Sequence, residues 1–143
     1  MAEATESELP ELFLQVSKRI RRNQAARLAP LGLTPAQSRA LRIIGRAEEP
    51  LRMSALADHL GIVPRSATTV VDALVAAGLI TRAPDPANRR STLVVPTDEG
   101  RRTLSRMSQA RREAATETFA PLSDEQRETL RALLAALDVQ DRC

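Results

Sequence analysis

The side chains of this chain best suited to chemistry are hydrogen-bond donors rather than nucleophiles. Arg65, Ser66, Thr68 and Thr69 follow directly on Pro64. A guanidinium forks onto guanine O6 and N7, hydroxyls bond bases or phosphates, and a threonine methyl fits against the methyl of thymine. Further on, Arg89 and Arg90 stand side by side among turn-forming residues. Adjacent guanidiniums suit the concentrated negative potential of a narrow A·T minor groove. Arg52, Ser54 and Arg82 are placed for phosphate contacts, and Gln37, Ser38 and Arg42 for others. A solvated polar surface would carry the same residue types, so the elements beneath them must decide between the two readings.

Other chemistry has little to work with. The chain holds one His, His59, and one Cys, Cys143, its last residue. A disulfide within the chain is impossible, and a Cys/His zinc site is excluded. A cysteine–histidine nucleophile pair would need the final residue as nucleophile. There is no recognisable pair of catalytic carboxylates and no Gly-rich phosphate loop, so neither enzyme activity, cofactor nor metal is expected. The aromatic residues are Phe13 and Phe119 alone. That nearly excludes the stacking platforms of RNA-recognition sheets and single-strand grooves. His59 reads as a surface or capping residue of a helix, and Asp72 as surface charge or the partner of a nearby Arg.

Of 143 residues, 43% are hydrophobic and 27% charged, a globular composition. Lys18 is the one Lys among 21 basic residues, and this Arg bias is discounted as a trace of a GC-rich genome. Position matters more than count. Residues 1–11 carry four Glu and no base, whereas residues 12–46 carry eight bases and no acid. The acid-free stretch would form a positive face. The acidic N-terminus lacks the basic and apolar regions of a signal peptide. The longest apolar run, Ala73 to Ile80, is too short to span a bilayer. A soluble, cytoplasmic protein is expected.

Pro10 is expected to open a first helix, with Leu9, Leu12, Phe13, Val16 and Ile20 at helical spacing. Pro30 and Gly32 end it. Thr34-Pro35-Ala36-Gln37 is a capping box that starts a second helix, with Ala40, Leu41, Ile44 and Ala47 on one face and Arg39, Arg42 and Arg46 on another. After Glu48-Glu49-Pro50, Leu51 begins an extended piece. A third helix covers about Met53 to Leu60 and stops at Gly61. Pro64 starts a fourth, which buries Ala67, Val70, Val71 and Leu74, with Gly78 at its left-handed C′ position. The period then turns strand-like. Residues 79–82 and 91–95 form two strands, joined by a turn-rich loop, residues 84–90, tipped with Arg89 and Arg90. Thr97 caps a long helix reaching about Phe119, with Met53, Leu104 and Met107 filling core or interface. Ser123-Asp124-Glu125-Gln126 is a second capping box, before the stripe Leu130, Leu133, Leu134 and Leu137. Phe13 and Phe119 are expected to pack where the two end segments meet.

Helix, tight turn, helix and hairpin, in that order, make a winged helix-turn-helix. The fold class expected is mainly α with a small β wing, flanked by N- and C-terminal dimerisation helices. Residues 33–96 form the winged DNA-binding domain, and residues 1–32 and 97–143 form the helical dimerisation region. The stretches LTPAQSRAL (33–41), LADHLGI (56–62), PRSATTVVDALVAAGLITR (64–82) and DPANRRSTLVVPTDEG (85–100) resemble the multiple antibiotic resistance regulator (MarR) family of bacterial transcription factors. The likeness runs over about residues 10–140. The family's wing reads Asp-Pro-x-Asp-Arg-Arg, then a strand, then Leu-Thr-x-x-Gly. Here Asn88 replaces the second Asp and Pro96 the Leu. The family's Asp pairs with the second wing Arg, whereas Asn88 would only hydrogen-bond Arg90. Val63 stands where the recognition helix usually has a Ser or Thr cap.

The resemblance implies a homodimer whose end segments interlace through Leu12, Phe13, Val16, Phe119, Leu130, Leu133, Leu134 and Leu137. Two recognition helices would then enter successive major grooves ~34 Å apart and read a pseudopalindromic operator in double-stranded DNA. It implies a repressor, released by a small aromatic effector bound between the dimer part and the DNA-binding part. The redox-sensing branch of the family uses a Cys near the N-terminus, which this chain lacks. The alternative from a different class is a winged-helix module that binds protein or ligand and not DNA. It would have little use for Arg65 together with Arg89 and Arg90.

Overall fold

A computed structural model describes residues 2–138; Cys143 lies outside the described residues. The chain forms two compact units, residues 28–110 and residues 1–27 with 111–143. The first unit takes in the start of the long fifth helix, which the sequence division places in the helical part.

Within residues 28–110 the elements follow the local signals closely. A short 3-10 turn, Ala29–Leu31, ends at Gly32, whose φ of 72° is left-handed. Helix α2, Pro35–Arg46, opens on the reciprocal box at Thr34 and Gln37: each backbone amide donates to the other side chain at 3.1 Å. Two orphan amides of the first turn are thereby satisfied. Strand β1 is only Leu51–Arg52, helix α3 is Met53–Leu60, and helix α4 is Pro64–Ala76. Strands β2, Ile80–Asp85, and β3, Asn88–Pro96, form the hairpin. The sheet order is β1-β3-β2, antiparallel throughout, with Leu51 opposite Val94 and Arg82 opposite Val94 on the other side.

The core lies between the helices and this sheet. Leu41, Leu56, Leu74, Val71, Ile80, Val94 and Met107 are essentially fully buried. Leu104 and Met53 pack against them, partly buried. Helix α5, Asp98–Phe119, enters the core at Met107 and is anchored at its start by Thr97. The Thr97 hydroxyl accepts the amide of Gly100 at 3.0 Å and donates to the carbonyl of Gly78 at 2.6 Å. One side chain thus caps α5 and ties it to the turn after α4. Gly100 is needed here for space: a Cβ at this position would collide with the carbonyl oxygen of Leu79.

The hairpin corrects the sequence reading. Pro84 and Asp85 belong to β2, and Asn88, Arg89 and Arg90 to β3, so the turn is Pro86-Ala87. The two Arg therefore leave from the start of a strand rather than from a loop tip. Helix α1 corrects it again. It runs Ala2–Leu28, straight through Pro10, and does not begin there. A proline inside a helix removes one backbone hydrogen bond and normally breaks it, but the turns on both sides continue here.

In the second unit, α1 meets the later part of α5 through polar residues. Arg27 pairs with Glu113 at 3.0 Å and also with Glu117. Asn23 Nδ2 donates to Thr118 Oγ1, and Gln24 Nε2 to the carbonyl of Arg111, each at 3.5 Å. Helix α6, Asp124–Asp138, opens on the expected box, with Ser123 and Gln126 bonded reciprocally at 2.9 and 3.2 Å. The packing expected of Phe13 is not found: within the single chain it is 53% exposed, while Phe119 is half-buried. The polar residues of the last turns of α1 make the contact with α5, and the apolar middle of α1 is left uncovered.

Candidate nucleic-acid interface

The turn between α3 and α4 sets the presentation of α4. Gly61, at φ 66°, closes α3, and the amide of Ile62 donates to the carbonyl of Ala57 at 3.1 Å. Arg39 of α2 spans the same end. Its Nη1 donates to the carbonyl of Leu60 at 3.3 Å and its Nη2 to that of His59 at 3.2 Å. A cation on the exposed carbonyls of a helix C-terminus satisfies acceptors that otherwise lack partners and matches the helix dipole. The α2 contact thereby fixes the turn. From sequence, Arg39 is only one of a face of Arg residues, because the carbonyls it binds lie 20 and 21 positions away. The backbone role of His59 was equally out of view.

Helix α4 starts at Val63 with no side-chain cap, as its sequence implies; the Val63 carbonyl accepts the amides of Ser66 and Ala67 at 3.0 and 3.2 Å. Ala67, Val71 and Leu74 face the core at spacings of four and three. The remaining faces carry Pro64, Arg65, Ser66, Thr68 and Thr69, all exposed. The Arg65 guanidinium makes no hydrogen bond or ion pair among the described residues. The threonines are partly committed: Thr68 Oγ1 donates to the carbonyl of Pro64 at 3.0 Å and Thr69 Oγ1 to that of Arg65 at 3.2 Å. With their protons turned back onto the helix, these hydroxyls offer outward lone pairs and methyl groups. They are suited to accept from a base amino group or to touch a thymine methyl, and less suited to donate to phosphate.

The wing has its own fastening. Arg52 Nε donates to Asp85 Oδ2 at 2.8 Å, and Asp85 Oδ1 accepts the amide of Ala87 at 2.9 Å. Asp85 is 6% exposed, a buried carboxylate with one guanidinium partner. The Ala87 amide chiefly, then Arg52 and the amide of Asn88, hold its pKa below the usual carboxylate value against the opposing effect of burial. Asn88 Oδ1 accepts the amide of Arg90 at 3.1 Å, a local turn-type bond from a short polar side chain. The side chains of Arg89 and Arg90 are exposed and make no hydrogen bond or ion pair among the described residues.

The other candidates divide. Arg82 pairs with Asp72 of α4, which gives Asp72 the Arg partner expected of it and ties β2 to α4. Arg52 is occupied by Asp85. Gln37 serves the α2 cap and is half-buried, as is Ser38 next to it in sequence. Arg42 is half-buried and engaged within the fold. Ser54 is exposed on α3. Among the described residues no three His, Cys, Asp or Glu come together as a metal site. No helix among them is long and apolar enough to cross a membrane.

A model of the MarR family matches residues 31–91, which covers α2, α3, α4 and the start of the hairpin. Over 96% of its length the chain is 28% identical to an HTH-type transcriptional repressor of Mycobacterium tuberculosis, covering 98% of that protein. Over α2, α3, α4 and the start of the wing the chain is thus similar to the MarR family. It is therefore a DNA-binding transcription regulator of the winged-helix type. A protein of Thauera aromatica, named as a transcriptional regulatory protein for the hcr operon, is 37% identical over 111 residues, which are 77% of this chain and 66% of that one. Among solved structures, ligand-free MarR of Escherichia coli aligns with a TM-score of 0.75 at 27% identity, over 90% of this chain and 95% of that one. The chain departs from the expected wing motif at Asn88, and its buried wing carboxylate is Asp85.

Proposed function

We propose that the protein is a homodimeric repressor that reads a pseudopalindromic operator in double-stranded DNA. Arg65 enters the major groove with Ser66, Thr68 and Thr69, and Pro64 brings the helix start close. Arg89 and Arg90 lie along the minor groove. Gln37, Ser38, Arg42 and Ser54 approach phosphates, while Arg52 and Arg82 act mainly by holding the wing. The observation that carries this reading is the state of Arg65, Arg89 and Arg90: three exposed guanidiniums without partners among the described residues, in a fold where most other Arg side chains of the hairpin region are paired. Exposed, unpaired Arg side chains are what phosphate and base recognition require.

Dimerisation runs through the end helices. Leu12, Phe13, Val16, Leu133, Leu134 and Leu137 are exposed in the single chain, Leu133 at 62% and Leu137 at 68%, and Phe119 and Leu130 are half-buried. Apolar side chains of this size in stripes on helices mark a surface that another chain covers. The named repressors among its relatives support repression, and the family supports release by a small aromatic effector and action in the cytoplasm.

The test is gel retardation with genomic fragments recovered on the protein, repeated from low to high salt and with a panel of small aromatic compounds. Retardation of selected fragments well above random DNA, lost steeply as salt rises, is the expected result. Equal retention of all fragments would remove the operator reading, and no retention at low salt would favour the interaction-module alternative.

A further inference from the structure

Helix α1 carries a second stripe beside its apolar one. Glu8, Glu11, Gln15, Arg19 and Arg22 follow one another at spacings of three, four, four and three. Residues three and four apart on a helix are neighbours on one face. All five are exposed, and none makes an ion pair among the described residues. Each end of the stripe places like charges three apart, an arrangement that weakens a helix when nothing compensates it. The helix dipole offers little compensation. Its effect fades within the first and last turns, whereas Glu8 and Glu11 lie beyond the first turn of Ala2–Leu28 and Arg19 and Arg22 stop short of the last.

The stripe is palindromic in spacing and opposite in charge about its centre. Turned end for end, it presents bases where it had presented acids. We propose that this stripe is a self-complementary, antiparallel contact with a second copy of the chain, with the two-fold axis passing at Gln15. Glu8 then faces Arg22 of the second copy, Glu11 faces Arg19, and Gln15 faces its own equivalent. Residues equidistant from the axis in sequence sit at equal height, because every residue adds the same rise. A parallel pairing in register would set Glu against Glu and Arg against Arg, so the same charges that favour one orientation reject the other. The contact is continuous with the apolar stripe of Leu9, Leu12, Phe13, Val16 and Ile20, and it rests on the dimer reading above. What it adds is the partner residues and the direction in which two α1 helices meet.

The experiment is a charge swap on the full chain, read by the dimer dissociation constant at low salt in sedimentation equilibrium. One variant carries Glu8→Arg and Glu11→Arg, a second carries Arg19→Glu and Arg22→Glu, and a third carries all four. The first two are expected to dimerise more weakly by on the order of tenfold, since each places like charges opposite like at four symmetry-related positions. Mixed one to one, they should pair with each other in preference to themselves. The four-fold variant should regain wild-type affinity, which also shows that these substitutions leave the helix folded. As an independent readout of geometry, Gln15→Cys in a Cys143→Ser background should cross-link to itself on mild oxidation, while Glu8→Cys in that background should not. Wild-type dimer affinity in both two-residue variants, or a merely statistical mixture of them, overturns the antiparallel register and leaves the dimer reading standing. A wild-type chain that stays monomeric at every concentration removes both.

Discussion

Arg52 and Asp85 lie 33 positions apart in sequence and are joined by a 2.8 Å bond from Nε to Oδ2. This pair connects the short strand before α3 to the end of the first wing strand, so the wing is held next to its Pro86-Ala87 turn and not only at its base. Arg52 is half exposed and Asp85 is buried, which makes the carboxylate the member left uncompensated if the pair is broken. Replacing Arg52 with Ala should loosen the hairpin and lower operator affinity while leaving base preference at the major-groove positions intact. Amide exchange at Ala87 and Arg90 should quicken in the free protein. Unchanged exchange together with lower affinity would mean that Arg52 touches phosphate directly.

The same pair makes stability depend on acid. The folded-state pKa of Asp85 is lowered from 3.8, so the unfolded chain binds its proton first as the pH falls. The stabilisation is present in full above 3.8 and is lost as the pH drops through the folded value. The stability difference between the wild type and Asp85→Asn should be constant from neutral pH to about 5 and shrink below 3.8. Denaturant unfolding at a series of pH values measures it. A difference that persists unchanged at the lowest pH would show that the ionised form gains nothing in the fold.

Arg65 is the only long donor in the first turn of α4. Arg65→Ala should remove a base contact worth roughly 1–3 kcal/mol and relax specificity at one symmetric pair of operator positions. Competition binding against operators changed at single positions resolves this. An equal loss for operator and random DNA would reassign Arg65 to phosphate.

Replacing Arg89 and Arg90 together with Ala should weaken operator binding and make the plot of log affinity against log salt shallower, by about one unit for each phosphate no longer neutralised. Preference in the major-groove half-sites should survive, because minor-groove contacts barely distinguish A·T from T·A. Asn88→Asp supplies the anion missing beside Arg90 and should reduce wing mobility without changing half-site preference. The wing role is wrong if the double Ala variant keeps both affinity and salt slope.

Thr97→Ala removes the cap on Gly100 and the bond to Gly78 in one step. Loss of a helix N-cap typically costs about 1 kcal/mol, and a drop of at least that size is expected in thermal or denaturant unfolding. Thr97→Ser should retain most of the stability, since it keeps the hydroxyl.

Signals that act within a few residues were legible in the sequence. The boxes at Thr34–Gln37 and Ser123–Gln126, the left-handed glycines at 61 and 78, the cap at Thr97 and the uncapped start at Val63 all stand in the structure where the sequence put them. The boxes and the cap depend on a side chain and an amide three positions apart, and the glycines on their own backbone conformation, so no knowledge of the rest of the fold is needed. Order and period of the elements then follow, and with them the winged helix. The tertiary structure decided what depends on residues distant in sequence. Arg39 meets the carbonyls of His59 and Leu60, Arg52 meets Asp85, and Arg82 meets Asp72 only because packing brings their elements together. It also decided that strand pairing extends through Pro84 and Asp85 and from Asn88, where local turn preference argued for a loop. Propensity speaks for one residue and its neighbours, whereas a sheet register is set by the whole opposing strand. Which of the described Arg side chains remain unpaired likewise depends on partners such as Asp72 and Asp85, which only the fold brings to Arg82 and Arg52.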